Sequence, residues 1–316
     1  MRGRAVVPTI LLGATCASCI LGPQPNVAKN LQEGEYCASP HALGLETDPA
    51  SDPPDLPAPE ATALGYSPHA IETARAIGAT ALLERLARAQ AAHASEEAVL
   101  HFKGQLNDAI VLATLDLSST IAHVLCEEGR AFQMASNLRD AEQTQTRNLT
   151  AWSLLVTSLA TIASGTLALA DKDPVPSGAA AITGGAGGLA LGIGTLLVHR
   201  SAPFLHARNI LAEVWVGGRD HPDFPELVWA YLTWPDFGIH GSKTVRDYLV
   251  AAWAESGRLG DHGQASRQRV ELLLGKGGTY DADALEDRGD MLSEVREAIG
   301  LMSHELQHLA AEAARH

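Results

Sequence analysis

Aromatic residues are scarce in this 316-residue chain, at 5%, and basic residues are outnumbered: Lys and Arg total 23 against 37 Asp and Glu. The aromatic shortage, beside 52 Ala and 29 Gly, argues against a β-sandwich or barrel, which draws on Val, Ile, Thr and aromatic residues in alternation. The charge shortage, a formal −14, excludes the chain as a whole from binding a nucleic-acid backbone or an anionic lipid surface. No nucleophile elbow, dinucleotide-binding glycine fingerprint, calcium loop or paired Cys-x-x-Cys is present. What the chain does have is a high hydrophobic content, 46%, much of it Ala among good helix formers, so the expected fold class is all-α.

Residues 1–18 have the form of an export signal. Arg2 and Arg4 make a basic start, Ala5 to Ala14 a short apolar core too brief to span a bilayer, and small residues then lead to cysteine. The stretch Cys16-Ala17-Ser18-Cys19 resembles the end of a bacterial lipoprotein signal, although Cys16 stands where that pattern usually has Leu. The resemblance implies lipidation of Cys19, with Cys16 as the alternative, and anchorage to a membrane through the N-terminal lipid. Ile20 in place of Asp implies sorting to the outer membrane, facing the periplasm or the cell surface. Ordinary signal-peptidase cleavage is the simpler reading. Loss of Arg2 and Arg4 would deepen the formal charge from −14 to −16.

Residues 19–67 read as a tether. Pro40, Pro49, Pro53, Pro54, Pro57 and Pro59 remove backbone donors and favour an extended spacer. Beyond the signal only Cys37 and Cys126 remain, and they either pair in an oxidising compartment or stay as small apolar residues.

Residues 68–200 read as a helical bundle. Leu106, Ile110, Ala113, Leu117, Ile121 and Val124 form one apolar stripe, with Gly104 and Gly129 as candidate breaks in an amphipathic helix pair. Charge then vanishes over 149–170 and again over 175–198, the second arm carrying Gly184, Gly188 and Gly192 on one helix face. The two arms read as a close-packed helical hairpin. Lipid and the centre of a bundle are both open to it, and the basic flanks Arg147 and Arg200 favour the bundle in an exported protein.

In the C-terminal region, 201–316, Pro222, Pro225 and Pro235 divide a Trp-rich stretch into short helices that would cap the core. Gly275 to Gly278 lacks phosphate-loop spacing and reads as a break before the last helix, with Thr279 or Asp281 as its cap; no strand is evident. That last helix holds His304-Glu305-Leu306-Gln307-His308, the H-E-x-x-H pattern in which two His one turn apart bind zinc and the Glu polarises a metal-bound water. Against a metallopeptidase, only eight residues follow His308 to supply a third ligand. The seam Leu292, Val295, Ile299, Met302, Leu306 and Leu309 also turns His304 and His308 outward. The sequence therefore carries the expectation of an exported envelope protein with a structural or interaction role, with protein partners and no nucleic acid, and with no catalytic activity, metal or other cofactor. The alternatives are a membrane-inserting protein, similar in order of elements to helical pore-forming toxins, and a zinc peptidase using Glu305.

Overall fold

The computed structural model describes Cys37 and residues 65–170, 199–206, 208–219, 221–237, 243–260 and 266–315. Within these the protein is an all-α multi-helix bundle with one small two-stranded sheet. The candidate lipid sites Cys16 and Cys19, most of the tether, and the second hairpin arm with Gly184, Gly188 and Gly192 lie outside the described residues.

Ser67 opens α1 (Pro68–Ala76) by accepting the Ala70 N–H at 3.2 Å, with Pro68 at the first helical position. Helix α2 (Thr80–Ala91) follows a turn at Gly78, whose φ of +67° suits glycine. Helix α3 (Glu96–Ala170) is then a single helix of 75 residues, about 110 Å long at 1.5 Å per residue. The sequence reading of a broken helix pair is corrected here. Gly104 and Gly129 lie inside α3, and a Cβ built on either meets nothing within 4 Å, so neither marks a turn or a close approach. Each costs about 1 kcal/mol of helix propensity relative to Ala. Burial of Leu106, Ala113, Leu117, Val124, Ala131 and Met134 on the other face overrides that cost.

The partner of that face is α8 (Ala282–Arg315), which runs antiparallel to α3, with Lys103 bonded to the Ala314 carbonyl at 3.4 Å and Arg296 to Glu128 at 2.7 Å. The α8 seam Leu292, Val295, Ile299, Met302, Leu306 and Leu309 is buried throughout. Gly289 of α8 lies close against α3, where a Cβ would stand 2.7 Å from the Phe132 ring.

The C-terminal region adds α4 (Ile210–Val216), α5 (Glu226–Thr233) and α6 (Val245–Glu255), packed against α8 and one another, and α7 (Arg267–Leu274), packed against α4 and the strand that precedes α8. Trp253 is fully buried and donates to Glu294 at 2.8 Å, Trp229 stacks on His221, and Trp234 lies under the Arg75 guanidinium of α1. These rings fill the end of the core. A second correction concerns strands: β1 (Ser201–Leu205) pairs antiparallel with β2 (Gly277–Asp281), Phe204 opposite Gly278. A Cβ at Gly277 would fall 2.2 Å from the Phe204 carbonyl oxygen, so the glycines read as a loop are what permit this close pairing. Thr279 sits in β2, and Asp281 is the cap of α8, accepting the Ala284 N–H at 2.8 Å.

Candidate functional site

The zinc-like motif lies on the outer side of α8. His304 and His308 are exposed, as the seam register requires, and Glu305 is half-buried, 3.6 Å from His69 of α1. Glu312, next in the row, accepts the Ser67 N–H at 3.0 Å and lies 3.4 Å from His308. Burial works against the charged form of Glu312, but the Ser67 hydrogen bonds together with His308 and Arg315 hold its pKa below the ordinary value. Both carboxylates thus face the start of α1. A catalytic zinc needs three protein ligands and an open position. The described residues include no group of three His, Cys, Asp or Glu placed to hold a metal.

Cys37 and Cys126 are joined by a disulfide, Cα atoms 5.7 Å apart, which fastens Cys37 to the flank of α3 between its buried and outer faces. The first hairpin arm is the distal end of α3. At Glu142 the helix still touches the cap, its carboxylate accepting the Arg200 N–H at 2.6 Å. Farther on, Trp152, Leu154 and Leu155 are exposed.

The charged residues buried deepest are ones the sequence reading passed over. His123, Glu127 and Arg130 lie one turn apart on α3, facing the cap. His123 Nε2 is 3.8 Å from the Asp223 carboxylate, which also lies 3.4 Å from Arg208, while the Asp223 N–H donates to Glu213 at 3.2 Å. Glu127 binds Arg130 at 2.8 Å, and the Arg130 guanidinium lies over the Phe204 ring. Beside them, Arg288 of α8 is almost wholly buried and donates to the Leu273 carbonyl at 2.9 Å and to Asn209 Oδ1 at 3.1 Å. Asn209 donates in turn to the Leu273 and Gly275 carbonyls at 3.0 and 2.8 Å, and the Tyr280 hydroxyl donates to the Leu272 carbonyl. The acceptors are the last carbonyls of α7, the negative end of a helix, which has no intrahelical donors to satisfy it.

His206 completes the cluster. Its Nε2 is 2.8 Å from the Tyr280 hydroxyl; because that hydroxyl donates to Leu272, the imidazole is the donor and Nδ1 carries the lone pair. Burial, reinforced by Arg288 and Arg130, pushes the His206 pKa down to about 2. Burial likewise pushes Tyr280 up to about 12 and lowers Arg288. A neutral His, a protonated Tyr and two arginines form a fixed polar plug. They have no Ser or Cys nucleophile beside a base, and what they do is lock α7, the β1–β2 pair and the cap onto the long helices.

Two signals could have found this cluster. Arg288 continues the seam backwards through Leu292, Arg288 and Leu285, a charged residue at a core position. His123, Glu127 and Arg130 repeat at four and three beside the apolar stripe. No family model, curated protein or solved structure matches the chain.

Proposed function

We propose that the protein is an exported, lipid-anchored protein of the cell envelope with a structural or interaction role, held to the membrane through Cys19 and presenting its helical body at the end of the tether. The observation that carries this reading is the Cys37–Cys126 disulfide, since such bonds persist in oxidising compartments outside the cytosol. It lies downstream of a signal-like segment, a lipobox-like cysteine and a proline-rich spacer, the order that such an anchor needs. The test is labelling with a radioactive fatty acid in cells. Label on the wild type that disappears in Cys19→Ser supports the anchor; undiminished label in that variant overturns Cys19 as the site and moves attention to Cys16.

A second reading, membrane insertion by the 149–198 hairpin, is favoured by the exposure of Trp152, Leu154 and Leu155 near the start of a charge-free arm. By length and composition α3 could also cross a bilayer, a property that core helices share. Dye release from liposomes that is abolished by Gly188→Asp would favour this reading, and its absence at all protein concentrations would remove it.

A further inference from the structure

The core of α3 accounts for one side of the helix, and the opposite side has no partner among the described residues. Val111, Leu115, Ser118, Ala122, Leu125 and Gly129 are all exposed and follow one another at spacings of four and three, a heptad seam over two and a half repeats. The exposure is large where the side chains are large: 48% for Val111, 55% for Leu115 and 52% for Leu125. From Val111 to Ser136 no exposed residue of α3 carries a charge, although the chain as a whole is strongly acidic. An ordinary solvent face on a helix of this length would be rich in Glu, Lys and Arg.

We propose that this face is a homodimer seam on which a second copy of the chain docks with its own α3 antiparallel. The reason is self-complementarity. An antiparallel two-fold pair centred between Ser118 and Ala122 sets Val111 against Gly129, Leu115 against Leu125 and Ser118 against Ala122, each pair occurring twice. In this arrangement every first-position residue meets a fourth-position residue of the partner, as antiparallel coiled coils require, and the small central pair lets the backbones approach. Two strongly acidic chains can meet here because the seam carries no charge. A strip of this length, about 27 Å, covers on the order of 500 Å² per copy, so about 1,000 Å² in total, the lower edge of specific interfaces and consistent with a reversible, micromolar dimer. The proposal deepens the interaction role above by naming the partner, and it rests on that reading for its place in the envelope.

The experiment is sedimentation equilibrium of the full chain carrying Cys16→Ser and Cys19→Ser, so that association is read without a lipid and without another unpaired thiol. A concentration-dependent dimer is expected, lost in Leu115→Glu and in Leu125→Glu, both with unchanged helical circular dichroism, and retained in Leu301→Glu, which charges an exposed leucine elsewhere. Orientation is read by cysteine cross-linking. Val111→Cys and Gly129→Cys should each stay uncross-linked alone and form a covalent dimer when mixed. A monomer at all concentrations, a dimer untouched by the seam variants, or self-cross-linking of Val111→Cys would each overturn the proposal. None of these outcomes depends on whether Cys19 is acylated.

Discussion

His206 should make the stability of the protein fall in mild acid by a calculable amount. In the folded chain its imidazole is buried, bonded to Tyr280 and faced by Arg288 and Arg130, so its pKa lies near 2, whereas in the unfolded chain it returns to about 6.5. Between those values the unfolded state binds one more proton than the folded state, so the free energy of unfolding decreases as pH falls through 6.5. The slope approaches about 1.4 kcal/mol per pH unit, and from pH 7.5 to 5.0 the loss amounts to about 2 kcal/mol. Urea unfolding of the wild type and of His206→Gln at both pH values isolates the effect, since Gln retains a donor for Tyr280 but takes up no proton. The other titrating groups, Glu312 among them, are present in both proteins and cancel in the comparison. The acid-induced loss should therefore be about 2 kcal/mol smaller in His206→Gln. Equal losses in the two proteins would refute the reasoning.

Two further outcomes bear on the disulfide and on the α3–α8 contact. The Cys37–Cys126 bond closes a loop with a sequence separation of 89 residues, so Cys126→Ser should lower stability by up to about 4–5 kcal/mol in the chain-entropy account. A urea midpoint that reductant lowers in the wild type, but not in the variant, would verify it. Gly289→Ala drives a Cβ to 2.7 Å from the Phe132 ring and should cost about 1–3 kcal/mol. Gly300→Ala on the same helix meets nothing within 4 Å and should instead stabilise by about 0.5–1 kcal/mol, the two melting temperatures moving in opposite directions.

The all-α class was legible because alanine-rich heptads leave a strong local signal, and so was the outward register of His304 and His308, fixed by the buried Leu292–Leu309 seam. The unbroken length of α3 was not, because Gly104 and Gly129 look like interruptions until tertiary packing on the opposite face is known. The β1–β2 pair joins residues more than seventy positions apart, and its second strand opens on two glycines, so neither strand announces itself by alternation. The polar plug escaped for a related reason. Arg288, His206 and Tyr280 come together only where the end of α7 needs donors, and that need is created by the fold.

The cross-link between Cys37 and α3 also sets a load path. A pull applied to the chain anywhere upstream of Cys37 enters the folded body at Cys126, in the middle of the 75-residue helix, rather than at Pro68 where α1 begins. The bond bypasses residues 38–125, so α1 and α2 carry no tension. The strain falls on the stretch of α3 that α8 braces, next to the Glu128–Arg296 pair. Reduction would transfer the same pull to the N-terminal helices, so thiol chemistry would determine which part of the molecule yields first.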